Sequence, residues 1–272
     1  MTTTMGIEAA SDLLACPLCR SGLSVTDRSL RCASGHGFDL ARQGYANLLG
    51  GPEPANADTP AMLSARARVH AAGIFAPVAA QVAGQVRGST AVLEVGAGTA
   101  YYLATALGDD PGAVGVALDV SKAAAKAAAR TDQRIAAVVA DVWHPLPVRD
   151  RCLDAVLCAF APRNLPEFAR VLRPHGVLVI VTPRPEHLAG LRDRHGLLRV
   201  PSDKAGQLVI AASEFFELVD TRLLRHQVDV SAALAADLIA MGPNAFHRLP
   251  EDVDAGSVTI DITVQTFRPL SS

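Results

Sequence analysis

Between about residue 90 and residue 182, short apolar runs alternate with helix-forming stretches. Runs rich in valine, leucine and alanine predict strands near 91–95, 113–118, 135–140, 153–159 and 176–182. The stretches between them predict helices near 99–107, 121–130 and 164–172. Strands that alternate with helices are typical of a parallel sheet covered by helices on both faces, so the sequence predicts an α/β fold.

The last part of the chain departs from this alternation. Residues 214–230 (EFFELVDTRLLRHQVDV) and 257–267 (SVTIDITVQTF) predict strands, and residues 231–241 (SAALAADLIAM) predict an apolar helix between them. An antiparallel hairpin around this inserted helix would close the sheet. The pattern therefore predicts a mostly parallel, seven-stranded sheet over residues 89–272.

The chain before residue 89 divides into two parts. Residues 13–49 are rich in cysteine, glycine and arginine and lack long periodic runs, as expected for a small module that cannot build its own core. Residues 50–88 predict a linker, GGPEPANADTP, followed by two leading helices that Gly73 and Pro77 interrupt.

Half of the residues are hydrophobic, which supports a globular protein. The apolar runs stay shorter than the roughly 18 to 20 residues that a membrane span requires, and the first residues lack a basic-then-apolar signal pattern. We therefore expect a cytoplasmic protein with no membrane partner. A net charge of −2 gives no general attraction to nucleic acid, so any RNA contact needs a local basic patch.

Three cysteines and a histidine are grouped in two pairs near the start of the chain. Cys16 and Cys19 form the first pair, Cys32 and His36 form the second, and a predicted hairpin lies between them. Three thiolates and one imidazole at this spacing are typical of a closed tetrahedral zinc site, which indicates a structural Zn²⁺ ion. The alternatives are cysteines in a small core or a redox Cys-x-x-Cys pair.

An acid and two glycines mark the end of the first predicted strand. Glu94 ends the strand, and Gly96, Gly98 and Thr99 form the turn that opens the next helix, where backbone can approach a ligand closely. A dinucleotide fingerprint requires a glycine where Tyr101 stands, and an acid before the turn would repel a pyrophosphate. The acid suits the cationic aminoacyl end of S-adenosylmethionine.

Two further carboxylates follow at the next strand ends. Asp119 is placed to accept hydrogen bonds from both ribose hydroxyls, and Asp141 is placed to accept from an adenine amino group. Three acids at three successive strand ends favour a class I S-adenosylmethionine-dependent methyltransferase. A dehydrogenase-like Rossmann domain, or a domain that no longer binds cofactor, is the alternative.

The two halves of the chain occur in the order of a known family. The motifs CPLC, C-x-x-x-H and GFDLARQGYANLL (37–49) precede the cofactor motif VLEVGAGTAYY. This order resembles the bacterial 23S ribosomal RNA (guanine-N1)-methyltransferases, which include enzymes that confer resistance to tylosin-type macrolides. The resemblance covers nearly the whole chain. It implies methyl transfer to N1 of a guanine in a hairpin of 23S ribosomal RNA, with a link to antibiotic resistance.

The resemblance also implies roles for single residues. It assigns cofactor contacts to Phe75 and His187, and it assigns the zinc ion to the Cys/His group described above. Ala100 replaces the family's third loop glycine, and phenylalanine stands at position 75 where tyrosine is frequent. The zinc module is expected to help hold the RNA, and relatives suggest a homodimer.

The loop after the fourth predicted strand lies at the edge of the sheet where a substrate base should enter. Arg163 is a candidate for stabilising charge at the guanine O6, and Asn164 is a candidate for a hydrogen bond to the base edge. A simple helix cap at Asn164 is the alternative. Residues 163–204 carry eight Arg or Lys against four Asp or Glu, which predicts a phosphate-binding patch. Further arginines on the zinc module predict a second one, namely Arg20, Arg28, Arg31 and Arg42.

Two other functions fit the same sequence. The first is a small-molecule methyltransferase whose zinc module acts as a lid or binds a protein, which a near-neutral net charge allows. The second is a zinc-dependent RNA- or protein-binding module with a degenerate methyltransferase domain. The three intact acids at the strand ends count against the second.

Overall fold

The computed structural model describes residues 5–198, 200, 201, 204–246, 249, 250 and 252–270. Its strands are β1 (Leu23–Thr26), β2 (Ser29–Cys32), β3 (Gly37–Asp39), β4 (Ala46–Asn47), β5 (Ala91–Val95), β6 (Val114–Asp119), β7 (Ile135–Val139), β8 (Leu153–Ala159), β9 (Leu172–Pro183), β10 (Phe216–Val230) and β11 (Gly256–Pro269). Its α-helices are α1 (Met5–Ala10), α2 (Pro60–Ala71), α3 (Ala76–Gln85), α4 (Tyr101–Leu107), α5 (Lys122–Ala128), α6 (Leu165–Val171), α7 (Ala189–His195), α8 (Lys204–Ala212) and α9 (Ala232–Ala240).

The large sheet has the strand order β10-β11-β9-β8-β5-β6-β7-β4. Strands β5 to β9 pair in parallel with one another, whereas β11 runs antiparallel between β9 and β10. Helix α9 lies between β10 and β11 in the chain. The predicted mostly parallel sheet, its closing hairpin and the inserted helix are therefore confirmed.

The central strands are buried on both faces. Every residue of β5 and of β7 is buried, and apolar clusters lie on either side of the sheet. This explains why these strands appear in the sequence as continuous apolar runs instead of an alternating pattern. The chain order reverses between β5 and β8, and in open α/β sheets the crevice at such a point receives the ligand.

The sheet has an eighth strand that the sequence did not predict. Strand β4 pairs in parallel with β7, with Ala46 opposite Val138 and Asn47 opposite Val139. Two residues are too few to produce a periodic signal. Helix α1 was also not predicted, because it is short. It packs on β7 so closely that a Cβ atom at Gly6 would lie 2.0 Å from the carbonyl oxygen of Ile135, so only glycine fits there.

The segment around the Cys/His group forms a separate three-stranded antiparallel sheet, β1-β2-β3. The predicted hairpin is β1-β2, in which Leu23 pairs with Cys32. Apolar side chains of this segment, including Leu14 and Leu30, continue into the core of the large sheet. The backbone joins it too, because Ala15 N donates a hydrogen bond to the Pro147 carbonyl at 3.0 Å.

Helices α2 and α3 precede the first strand of the parallel sheet, as predicted. Thr59 caps α2 by accepting a hydrogen bond from Met62 N at 3.3 Å, and Pro60 occupies the first helical turn. Gly73 turns the chain between the two helices with a φ of +75°. Among the described residues, the helices are too short or too polar to span a bilayer.

Candidate active site and metal centre

The four predicted metal ligands converge beside the small sheet. Their sulfur and nitrogen atoms all lie within 4.8 Å of one another. The Sγ atoms of Cys16 and Cys32 lie 3.5 and 3.4 Å from His36 Nδ1. Cys19 Sγ lies 3.7 Å from Cys32 Sγ. The structure thus brings together all four residues that the sequence grouped.

These distances fit a zinc ion. Zinc–sulfur bonds of about 2.3 Å and zinc–nitrogen bonds of about 2.0 Å place tetrahedral ligands about 3.5 to 3.8 Å apart. A hydrogen bond from the Ser21 hydroxyl, 3.0 Å from Cys19 Sγ, lowers the pKa of Cys19 to about 5 and favours the thiolate that zinc binds. Because protein atoms fill all four positions, the ion has a structural role.

The turn between β5 and α4 is tightly packed at its two glycines. Gly96 and Gly98 have φ values of +62° and +53°. A Cβ atom at Gly96 would lie 2.5 Å from the Ala161 side chain, and one at Gly98 would lie 2.5 Å from Arg66 Nη1. Ala100, where the family has its third glycine, also adopts a positive φ of 57°. Side chains at the two glycine positions would therefore displace the neighbouring residues.

Glu94 and Asp119 both bind the backbone around this turn. Glu94 Oε2 accepts a hydrogen bond from Leu103 N at 3.0 Å. Asp119 Oδ2 accepts from Gly98 N at 2.8 Å, and its Oδ1 accepts from Ser121 N at 2.9 Å. Burial raises the pKa of Glu94 to about 8 and also raises the pKa of Asp119. The two acids lie at the predicted edge, while their contacts with a cofactor stay predictions.

Asp141 starts a tight turn that follows β7. Its Oδ1 accepts a hydrogen bond from Trp143 N at 3.0 Å, and its Oδ2 lies 3.2 Å from His144 Nδ1. Elsewhere at the edge, Thr99 Oγ1 is buried and has no hydrogen-bond partner among the described residues. The predicted roles of Asp141 toward adenine and of Thr99 toward the cofactor stay predictions.

Arg66 on α2 lies against the glycine turn, which the sequence did not predict. Its Nη1 pairs with Asp58 Oδ2 at 2.5 Å, and its Nη2 donates to the Met241 carbonyl at 2.7 Å. The Ser121 hydroxyl donates to the Asp58 carbonyl at 2.7 Å. The linker before α2 therefore packs against the predicted cofactor edge. Helix α2 carries Arg66 and Arg68, and nothing in the sequence indicates which of them faces the turn.

Phe75 and His187, the implied cofactor contacts, lie together in an aromatic cluster. Their ring centroids are 6.1 Å apart, and both contact Phe160, at 6.0 and 6.2 Å. Tyr102 contacts the same Phe160 ring at 6.4 Å. Phe75 and His187 are buried, whereas Phe160 is 42% exposed. Burial lowers the pKa of His187 to about 4, so its imidazole is neutral at pH 7.

Phe160 also lines a groove of about 630 Å³ at the carboxyl end of β8. The loop that carries Arg163 forms one wall of this groove, and α8 forms another. Arg163 Nε is buried and has no hydrogen-bond partner among the described residues. Asn164 does not cap α6 with its side chain; its Nδ2 donates to the Val142 carbonyl at 2.7 Å. Asn164 therefore occupies the N-cap position of α6 without a capping bond from its side chain, and its role toward a base stays a prediction.

Ion pairs occupy several arginines of the predicted patch over 163–204. Arg170 pairs with Glu167 and Asp150, Arg173 pairs with Asp154, and Arg184 pairs with Asp261. Arg199 and Asp203 of this patch lie outside the described residues, as does the side chain of Lys204. The described part of the patch therefore has less free positive charge than its sequence predicts.

The arginines of the zinc segment are more accessible. Arg31 and Arg42 are exposed, and Arg28, also exposed, donates to the Ala41 carbonyl at 3.3 Å. Arg20 donates to the Leu146 carbonyl at 3.2 Å, next to the turn that begins at Asp141. Arg20 also pairs with Asp150 at 3.6 Å, so part of its charge is neutralised.

Comparisons with known proteins cover both parts of the chain. Residues 14–52 match the zinc-ribbon family described as RlmA, N-terminal, and residues 93–180 match a family described as a methyltransferase domain. A chain from the solved complex between the Haloferax volcanii Trm112 methyltransferase activator and a methyltransferase shares the fold, with a TM-score of 0.51 and 16% identity over 77% of this chain and 98% of that chain.

Two curated relatives match nearly from end to end. The 23S rRNA (guanine(748)-N(1))-methyltransferase of Streptomyces fradiae is 41% identical over 94% of this chain and 97% of its own. A protein of Micromonospora griseorubida, named for the same reaction without a position number, is 39% identical over the same shares. The metal cluster, the methyltransferase sheet and this identity over the whole length agree. The chain therefore belongs to the 23S rRNA (guanine-N1)-methyltransferase family.

Proposed function

We propose that this protein transfers a methyl group from S-adenosylmethionine to N1 of a guanine in 23S ribosomal RNA, in the cytoplasm. The proposal rests above all on one observation: the chain matches the Streptomyces fradiae enzyme across both the Cys/His cluster and the methyltransferase sheet. A relative that shared the sheet alone would leave the substrate open, because one fold serves many reactions.

S-adenosylmethionine supplies a methyl group that its sulfonium has already activated. The protein therefore has to hold the accepting nitrogen in line and to keep water away. We assign the cofactor to the edge where the carboxyl ends of β5, β6 and β7 meet. The residues assigned to it are Phe75, Glu94, Gly96, Gly98, Thr99, Asp119, Asp141 and His187.

Guanine N1 carries a proton, and its loss places negative charge on the base, partly on O6. A cation beside O6 stabilises that charge. Arg163 is our candidate because it lines the groove next to Phe160. Asn164 positions the substrate loop, because its Nδ2 donates a hydrogen bond to the Val142 carbonyl. Its side-chain Oδ1 is our candidate acceptor for the edge of the base.

A guanine must leave its stack before its N1 can reach the cofactor, which a hairpin loop allows more readily than a duplex. We infer that the RNA enters as such a hairpin, with the zinc segment on its phosphates. Arg20, Arg31 and Arg42 supply the charge for that contact. The homodimer suggested by the resemblance stays a prediction.

The test is incubation of the zinc-loaded protein with unmodified 23S ribosomal RNA and methyl-labelled S-adenosylmethionine, followed by primer extension. A methyl group on N1 blocks the pairing edge of guanine and stops reverse transcriptase. We expect label in the RNA and a stop at one guanine, with position 748 examined first because the Streptomyces fradiae relative is named for it. Label in small molecules and none in the RNA would contradict the proposal.

A further inference from the structure

The groove beside Phe160 has an unusual exposed wall. Trp143 lines it, although 65% of this large side chain is exposed to solvent. No other aromatic ring of the described residues packs against the indole, whereas Phe160 and its neighbours form a continuous cluster. An exposed tryptophan without a ring partner leaves a large apolar face in water, which is typical of a binding surface.

The backbone holds Trp143 in this position. The Asp141 carboxylate accepts from Trp143 N at 3.0 Å, and His144 N donates to the Asp141 carbonyl at 3.1 Å. Asn164 Nδ2 binds the Val142 carbonyl at 2.7 Å, which ties this turn to the loop of Phe160 and Arg163. The two walls of the groove are therefore fixed relative to each other.

Phe160, which lines the same groove, is held in a strained conformation. Its φ is 57°, in the left-handed region that a bulky residue rarely adopts, and its N donates to the Val181 carbonyl at 3.1 Å. Such strain persists where the surrounding structure enforces it, often at functional sites. The ring consequently contacts His187 and Phe75 on one side and the groove on the other.

We propose that Trp143 is a base-stacking residue, on which an unpaired nucleotide next to the target guanine packs its base when the RNA enters the groove. The inference rests on the proposed RNA methylation and deepens it. Stacking on an aromatic face suits any base and contributes most where the base is already out of its helix. The target guanine itself is then expected to pack on Phe160, which contacts the implied cofactor residues Phe75 and His187.

The charges around the groove favour a nucleotide over an apolar peptide. Arg163 supplies a cation in the groove wall. Arg20 reaches the carbonyl of Leu146, three positions beyond Trp143, and is partly exposed although it also pairs with Asp150 at 3.6 Å. Asp141, the nearest acid in the chain, uses both carboxylate oxygens within its own turn. A phosphate next to the stacked base therefore meets positive groups.

Fluorescence tests the inference directly, because Trp143 is the sole tryptophan of the chain. The zinc-loaded protein is titrated with S-adenosylhomocysteine alone, and then with a 23S ribosomal RNA hairpin that carries the target guanine. We expect the RNA to quench the emission and to protect the indole from acrylamide. The cofactor product alone should change neither signal.

Kinetics with matched variants supply the second readout. Trp143→Ala should raise the KM for RNA by about 5- to 150-fold, the range that loss of one base–aromatic stack produces. The KM for S-adenosylmethionine should stay unchanged, and Trp143→Phe should recover most of the RNA affinity. Leu223→Ala, which truncates another large exposed side chain (62% exposed) on β10, serves as the control without effect.

The outcomes separate this inference from the function on which it rests. The stacking role is overturned, and the function stands, if the protein methylates the RNA but two results are negative. These are an unchanged tryptophan emission on RNA binding and an unchanged KM for RNA in Trp143→Ala. Quenching by S-adenosylhomocysteine alone would assign the indole to the cofactor and would also overturn the role. If no RNA is methylated, the proposed function fails and the inference fails with it.

Discussion

Glu94 is a buried acid at the predicted cofactor edge, and its carboxylate makes a hydrogen bond to the backbone. Only 2% of the residue is exposed, and its carboxylate accepts from Leu103 N in the first turn of α4. Burial raises its pKa to about 8 although the Arg66 cation acts to lower it, so at neutral pH the carboxyl is mostly protonated in the ligand-free protein. A cationic ligand group would favour the ionised form.

This shift predicts how stability depends on pH. In the unfolded chain the Glu94 carboxyl ionises near 4.5, whereas in the folded chain it holds its proton to about 8. Between these values the folded state binds more protons, so the contribution of Glu94 to the free energy of unfolding falls as pH rises, by on the order of 1.4 kcal/mol per pH unit. Urea unfolding of the cofactor-free protein at several pH values between about 5 and about 7.5, inside this window, measures the dependence.

Glu94→Gln is the matched control, because its amide oxygen still accepts from Leu103 N and does not titrate. The difference in unfolding free energy between the two proteins should shift steadily in favour of the variant as pH rises. Parallel curves for the two proteins would show that Glu94 ionises at its ordinary pKa.

Gly96 is required by packing as well as by backbone conformation. In Gly96→Ala, the new methyl group would meet the Ala161 side chain at 2.5 Å, at a φ of +62°. We expect a loss of about 2 to 4 kcal/mol in the free energy of unfolding, from crowding and left-handed strain together, and weaker S-adenosylhomocysteine binding by calorimetry.

A substitution at Gly88 distinguishes crowding from left-handed backbone strain. Its φ is +84°, but nothing lies within 4 Å of a Cβ atom built there. Gly88→Ala should therefore cost only the strain, about 1 to 2 kcal/mol, and should leave cofactor binding as in the wild type. Equal losses for the two variants would argue against crowding at Gly96.

The small sheet β1-β2-β3 depends on its metal cluster. Its residues are few, and the Cys/His group links the chain before β1 to the ends of β2 and β3. Structural zinc sites supply folding free energy directly. We expect one zinc ion per chain by elemental analysis, and we expect Cys32→Ser to lose it.

The same variant should lower the unfolding temperature of the whole chain in one transition. The reason is that Leu14 and Leu30 share a core with strands of the large sheet, and β4 pairs with β7. Cys152→Ser removes a thiol outside the cluster and should retain both the zinc and the transition. Full zinc content in Cys32→Ser would refute the assignment.

Elements with strong local patterns were predictable. The apolar runs of β5 to β9 and the turn glycines identified the parallel sheet, because buried strands need such runs and the turn needs positive φ. Strand β4 and helices α1, α7 and α8 escaped prediction. They are short, and each packs against a strand that is distant in the chain or belongs to the closing hairpin. Local sequence carries little information about such pairing.

At the candidate site, too, features with a local sequence pattern were predictable and features that depend on distant residues were not. The Cys/His spacing predicted the metal cluster. Glu94 and Asp119 lie around the turn after β5, as the sequence predicted, while their contacts with a cofactor stay predictions. Arg66 and Trp143 could not be predicted, since each gains meaning only from groups brought near by the fold. The count of arginines over 163–204 overestimated the basic patch, because ion pairs with distant acids are invisible in the sequence.

The molecule as a whole arranges a metal cluster, the predicted cofactor edge and an aromatic groove around the large sheet. The apolar side chains of the zinc segment pack in one core cluster, and Phe75 packs in the other. Arg20 links the zinc segment to the turn that carries Trp143, and Asn164 links that turn to the substrate loop. Family membership and this arrangement lead to one central claim: the protein methylates N1 of a guanine in ribosomal RNA.

The most direct test is the chemical identity of the product. Unmodified 23S ribosomal RNA is incubated with the protein and S-adenosylmethionine, digested to nucleosides and analysed by mass spectrometry against methylguanosine standards. The account predicts 1-methylguanosine, formed in proportion to the RNA and absent without the protein. A different methylated nucleoside, or no methylated nucleoside in the RNA, would contradict it.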